Sequence, residues 1–164
     1  MHSIHEIERL YQQHGAALVL FGTTIVGERN MAQDAVQQVF LRLIETGSLA
    51  HAADPKAYLF ACVRNQILNE SKVRQRNVSL DPDTAWFVPP QRDYAAEENL
   101  RRALGDLSLD QREIVVLHIW GGLTFSQISD VLGVNANTAA SRYRYGLEKL
   151  RAIMCSGEKS NANR

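Results

Sequence analysis

Apolar residues in the first part of the chain recur at three- and four-residue steps, the spacing that gathers them on one side of an α-helix. Ile4, Ile7, Leu10, Tyr11, Leu18, Phe21 and Ile25 predict a helix from Ile4 to about Val26. Ala35, Val36, Val39, Phe40 and Leu43 form the stripe of a second, Met31 to Glu45. Asn30 and Gln33 have the spacing of a capping box at its start, and Gly47-Ser48 stops it. Asp54-Pro55 marks a third start, because proline at the first helical position gives up an amide that has no partner there anyway. That helix, Pro55 to about Arg76, carries Tyr58, Leu59, Cys62, Val63 and Ile67.

The pattern breaks at Asn77. "NVSLDPDTAWFVPPQRD", residues 77–93, holds three of the four prolines and three aspartates against one arginine, and reads as a linker. Trp86, Phe87 and Val88 within it are apolar for a tether; they are expected to pack on a neighbouring helix, with docking on a partner as the alternative. Helices resume over Tyr94–Gly105 and from Ser108/Leu109 to Trp120. "SLDQ" (Ser108–Gln111) and "TFSQ" (Thr124–Gln127) are both capping boxes. The second opens a short helix that buries Phe125, Ile128, Val131 and Leu132; Gly133 then supplies a turn and Asn135 caps the last helix. No strand alternation appears. The expectation is an all-α fold of two small helical domains, 1–76 and 94–155, joined by the linker 77–93 and ending in a disordered tail, 156–164.

The last helix has two distinct sides. At about 100° per residue, with Tyr143 set inward, Ala136, Ala139, Leu147, Leu150 and Met154 fall on the inward side. Thr138, Ser141 and Tyr145 lie opposite, flanked by Asn137, Arg142 and Arg144. Such a surface suits phosphates and base edges, since Arg binds guanine bidentately and Asn binds adenine. Periodicity alone leaves an ordinary helical hairpin with a polar face equally open.

Charge changes the picture in one respect. The chain has 18 basic and 18 acidic residues and no net charge, so a nonspecific polyanion coat is excluded and any nucleic-acid site rests on local clustering. Clustering exists. Ser141–Ala152 holds Arg142, Arg144, Lys149 and Arg151 against Glu148, a local +3; Ala61–Arg76 holds Arg64, Lys72, Arg74 and Arg76 against Glu70, again +3. The compensating acids Asp81, Asp83, Asp93, Glu97 and Glu98 sit in and beside the linker.

Other chemistry is thin. Cys62 and Cys155 are far apart and form no CxxC, which predicts two reduced thiols, Cys62 in the core. The five histidines are scattered and suggest no metal site. Gly22 and Gly27 have the outer spacing of a phosphate loop, but Glu28 and Arg29 stand where Lys and Ser/Thr are needed. No apolar run reaches the ~20 residues of a membrane span, and the polar amino terminus does not resemble a signal peptide, so a cytoplasmic protein without membrane insertion is expected.

Three motifs in order then resemble one family, the bacterial extracytoplasmic-function sigma factors, the smallest type of RNA polymerase specificity subunit. "AQDAVQQVFLRL" (Ala32–Leu43) is similar to the family's polymerase-gripping helix, with Asp34, Gln37, Phe40 and Arg42 at matching places. "DPKAYLFACVRNQILNESKVRQRN" (Asp54–Asn77) is similar to the segment that opens the minus-ten element, and Leu104–Arg144 to the minus-thirty-five reader. Ala140 and Gly146 depart from the family's usual residues.

The resemblance implies a binding subunit with no catalytic residues and no cofactor. Its implied partners are core RNA polymerase, promoter DNA and an anti-sigma factor. Asp34, Gln37, Gln38 and Arg42 would contact polymerase, with Phe40 in the core. Arg64 and Asn65 would contact the opened strand, and Lys72, Arg74 and Arg76 its phosphates. Asn137, Thr138, Ser141, Arg142, Arg144 and Tyr145 would enter the major groove upstream, the two arginines as phosphate clamps first and base readers second. Each phosphate neutralised contributes about 0.9 to the salt slope, so two small clusters support only about five contacts. Weak DNA binding by the free chain is therefore expected, with polymerase supplying the rest. The competing readings are a stand-alone dimeric helix-turn-helix regulator and, more remotely, an enzyme using Cys62 or Cys155.

Overall fold

A computed structural model describes residues 4–74 and 102–161, the side chains of 71–74 and 157–161 excepted. The linker 77–93 with Trp86, Phe87 and Val88, the helix start at Tyr94, and the side chains of Lys72, Arg74 and Arg76 lie outside the described residues. The elements in chain order are α1 (Ile4–Val26), α2 (Arg29–Thr46), a 3-10 turn (Ser48–His51), α3 (Pro55–Arg74), α4 (Leu109–Ile119), α5 (Phe125–Leu132) and α6 (Ala136–Asn161). Residues 102–106 are also helical, and no strand occurs among the described residues.

The first half is a three-helix bundle. Its core is the predicted stripe: Leu18 and Phe21 from α1, Val36, Val39 and Phe40 from α2, and Leu59, Val63 and Ile67 from α3 are buried. Phe21 meets Phe60 edge-on at 5.6 Å between ring centres, and burying a side chain of that size contributes about 1.5–3 kcal/mol. Gly22, one of the glycines spaced like a phosphate loop, is instead a crossing point. A β-carbon there would lie 2.9 Å from Ile67 Cδ1 and 3.0 Å from Ala32 Cβ, so a larger residue would force Ile67 to swing aside and α2 to give by a few tenths of an ångström. Ile4 and Tyr11, counted in the α1 stripe, are exposed, although Tyr11 still sets its ring edge-on to Phe40 at 5.1 Å.

Two starts behave differently. Asp54 Oδ1 accepts from Ala57 N at 3.1 Å, so the Asp-Pro start of α3 is a true cap. The Asn30 capping box does not form: α2 begins at Arg29 after Glu28, with no side-chain cap bond. Ala32 N already donates to Glu28 O at 3.2 Å, which places Asn30 inside the first turn.

In the second half both predicted capping boxes are present in full, Ser108 with Gln111 ahead of α4 and Thr124 with Gln127 ahead of α5. Gly133 turns the chain with φ +67°, a left-handed conformation that glycine adopts without steric penalty, and Asn135 Oδ1 receives Asn137 N at 2.8 Å. The inward side of α6 is narrower than expected. Ala139 and Leu150 are buried, Tyr143 and Leu147 partly so, but Ala136 and Met154 are exposed. Both lie at the limits of what α4 and α5 can cover. Gly146 is buried against α4, where a β-carbon would meet Val115 Cγ2 at 3.2 Å and Gln111 Cβ at 3.3 Å. The tail expected over 156–164 is helical as far as Asn161, because adding residues to an established helix costs little and Glu158 and Lys159 are good helix formers.

The halves do not stand apart. One buried cluster runs from Leu18, Phe21 and Phe60 into Ile114, Leu117, Leu123 and Ile128 of the second half. A smaller one, formed by Ala103, Leu104, Leu107, Val115 and Leu150, belongs to the second half alone. Trp120 and Tyr143 pack against both.

Candidate nucleic-acid interface

The helix pair α5–α6 owes its geometry to short-range chemistry. Thr124 fixes the start of α5, Gly133 reverses the chain and Asn135 fixes the start of α6. Beneath the pair, three rings lock it. His118 stacks on Phe125 at 4.7 Å and meets Tyr143 edge-on at 4.6 Å, while its Nδ1 pairs with Leu123 O at 2.8 Å. His118 carried no role in the sequence reading; the signal available there was an aromatic residue on each of the three elements.

With its inward side held this way, α6 turns Asn137, Thr138, Arg144 and Tyr145 to solvent, with Ser141 and Arg142 at the margin. All six expected groove residues therefore lie on one side of one helix. Arg144 lies over the ring of Tyr145 at 5.4 Å, so its guanidinium remains at the surface. Arg142 reaches Asp110 Oδ2 at 3.8 Å, both side chains being well exposed. A pair this long and this wet holds its members loosely and competes poorly with a phosphate.

A second surface lies on α2. Asp34, Gln37, Gln38 and Arg42 are all exposed, while the apolar stripe faces inward. Gln66 of α3 links two of them, donating to Gln38 Oε1 at 2.7 Å and accepting from Arg42 at 3.1 Å. Leu41 and Ile44 stand on the same side, 60% and 47% exposed. The sequence reading passed over both. Two large apolar residues off the core stripe of an otherwise polar helix side were the signal.

The expected strand-contacting residues on α3 are divided. Asn65 is exposed. Arg64 is turned under the second half, where its Nε lies 3.4 Å from Glu113 Oε2 of α4, with the two side chains 24% and 5% exposed. In this arrangement the structure does not offer Arg64 to a partner, because the guanidinium is the counter-charge of a buried carboxylate. Burial pushes the Glu113 carboxyl up in spite of Arg64, and Asp110 adds to the rise.

The remaining titratable groups form no catalytic constellation among the described residues, and no group of three or more His, Cys, Asp or Glu among them could hold a metal ion. Cys62 is partly buried and its thiol is pushed up by that burial, partly opposed by a hydrogen bond with Tyr58; Cys155 is exposed. No described helix is long and apolar enough to cross a membrane.

The chain as a whole has relatives. The family model of Sigma-70 region 2 matches residues 10–77, and that of Sigma-70, region 4 matches 97–150. The chain is 31% identical over 155 residues to the ECF RNA polymerase sigma factor SigL of Mycobacterium tuberculosis, a match covering 88% of this chain and 86% of the relative. It is 28% identical over 144 residues to the ECF RNA polymerase sigma factor EcfG of Rhodopseudomonas palustris, covering 84% and 79%. Among solved structures, the sigma factor RpoE in complex with the anti-sigma factor NepR from Bartonella quintana superposes with a TM-score of 0.72 at 21% identity, over 92% of this chain and 98% of that one. CnrH in complex with the cytosolic domain of CnrY superposes at 0.64 with 20% identity, over 94% and 90%. At such identities the likeness is one of fold.

Proposed function

Since the chain belongs to the extracytoplasmic-function sigma factors of RNA polymerase, we propose that its two halves divide promoter recognition between the surfaces described above. The first half docks on core polymerase through Asp34, Gln37, Gln38 and Arg42 of α2, with Leu41 and Ile44 supplying the apolar centre of that contact. Asn65, Arg64 and the basic residues Lys72, Arg74 and Arg76 meet the minus-ten element. Extracting a base from duplex DNA costs a few kcal/mol, which polymerase contacts help to offset. The second half places Asn137, Thr138, Ser141, Arg142, Arg144 and Tyr145 in the major groove of the minus-thirty-five element.

The observation that carries this assignment is the exposed row Asn137, Thr138, Arg144 and Tyr145 on a doubly capped helix-turn-helix. The protein acts by binding, without chemistry of its own, in the cytoplasm where polymerase and DNA are found. RpoE and CnrH were solved with NepR and with the cytosolic domain of CnrY, and a protein of the anti-sigma kind is the further partner we assign to this chain.

Runoff transcription with core polymerase on a genomic promoter library tests the reading. The purified chain should form a stoichiometric complex with core polymerase and direct initiation from a defined promoter set. Failure to bind core, together with tight dimeric binding to a palindrome, would instead establish the dimeric regulator.

A further inference from the structure

Resting on the sigma-factor reading, we propose that Gln66 is a positioning residue for polymerase docking. Its side-chain amide, on α3, holds Gln38 and Arg42 of α2 in the pose in which they meet core polymerase.

The four residues involved come together through two matching spacings. Gln38 and Arg42 are four apart on α2, and Gln66 and Glu70 are four apart on α3, so each pair shares one side of its helix. Next to them in sequence, Val39 and Leu43 of α2 and Val63 and Ile67 of α3 are buried in a single cluster, which fixes the spacing of the two helices. Gln66 is half-buried at this seam, whereas Gln38 and Arg42 are exposed.

Donor and acceptor chemistry decides how the amide is turned. Gln66 Nε2 donates to Glu70 Oε1 and to Gln38 Oε1, each at 2.7 Å. Its oxygen accepts from Arg42 at 3.1 Å. A carboxylate only accepts and a guanidinium only donates, so Glu70 and Arg42 together fix the orientation. Turning the amide over would set its N–H groups against Arg42 and its oxygen against Glu70. Gln38 takes its place from the other two.

Such a junction serves binding more than folding. Glutamine and arginine have many rotamers, and freezing one such side chain at an interface weakens binding by roughly two- to twelvefold. Here both are ordered before a partner arrives, by a group that stands behind them. Arg42 gives Gln66 one N–H group, and among the described residues no carboxylate pairs with the guanidinium, so its other donors stay available. Gln66 thus acts through Gln38 and Arg42 without touching polymerase.

A double-mutant cycle on core-polymerase affinity, titrated with the full chain, tests the proposal. Gln66→Met keeps the length of the side chain and removes all three hydrogen bonds. It should weaken binding about fivefold, with the melting temperature close to wild type. In a Gln38→Ala/Arg42→Ala background the same substitution should change affinity by less than about twofold, because nothing is left to position. Wild-type affinity of Gln66→Met overturns the proposal. So does an equal loss in both backgrounds, which is the mark of a merely structural role. If Gln38→Ala/Arg42→Ala alone leaves affinity unchanged, α2 does not dock through these residues and the proposal falls with that surface. Failure of the sigma-factor reading is separate, appearing as no complex between the wild-type chain and core polymerase on gel filtration.

Discussion

Two spans of equal local charge, +3 each, lie on α6 and α3, yet the fold treats the arginines described on them in opposite ways. On α6, Arg144 and Tyr145 face water and Arg142 has only a long, wet partner. On α3, Arg64 is committed to Glu113, a carboxylate that would otherwise be buried alone. The difference lies in what each helix packs against. The second half covers α3, whereas nothing among the described residues lies over the outer side of α6. Local charge thus locates a basic segment, and tertiary contact decides which of its side chains reach the surface.

That contrast can be broken at several points, the strongest first. Phe60 is fully buried where the halves meet, so Phe60→Ala should cost about 3–5 kcal/mol. Thermal unfolding tracked by circular dichroism measures it. If the halves form one cooperative unit, both should melt together at a lower temperature; a second half that keeps its wild-type midpoint would show the boundary to be energetically slight.

Next in size are the readers on α6. Within the polymerase complex, Asn137→Ala should cost about 1–3 kcal/mol at promoters with the preferred base and shift the sequence preference. Arg144→Ala should weaken all duplexes alike and lower the salt slope by about 0.9. Binding titrations at several salt concentrations separate the two, and a base preference that moves with Arg144 instead would reverse these roles.

Thr124→Ala removes the cap of α5 and should lower stability by about 1 kcal/mol. A chemical-denaturation midpoint unchanged from wild type would mean that the turn is held by the ring cluster beneath it.

The smallest effect concerns acidity. Burial raises the Glu113 carboxyl above its ordinary 4.5, so the folded protein holds that proton more tightly than the unfolded chain. Its contribution to stability is full below that ordinary value and is lost as pH rises through the raised one. Glu113→Gln should flatten the dependence of the melting temperature on pH over that interval. A dependence identical to wild type would show that Arg64 keeps the carboxylate ionised throughout.

Much of the fold was legible in the chain because its determinants are local. The limits of α1, α5 and the start of α3, both capping boxes of the second half, the turn at Gly133 and the burial of Phe40 all arise from spacing within a few residues. So does the placing of Asn137, Thr138, Arg144 and Tyr145 on the outer side of α6. Where local signals competed, reading failed: Asn30 had the spacing of a cap, but the backbone of Glu28 closed the first turn before it.

Sequence by itself therefore determined the helices, their polar and apolar sides, and the exposed polar surface of α6, because hydrogen bonds along a helix and periodicity act over three or four residues. The tertiary structure alone decided that Arg64 is withheld, that Gly22 is a three-helix crossing, that His118 braces the helix pair and that Leu41 and Ile44 remain uncovered. Each of those depends on which distant segment arrives at the site, Glu113 lying 49 residues beyond Arg64, and a pairing at that separation leaves no periodic trace.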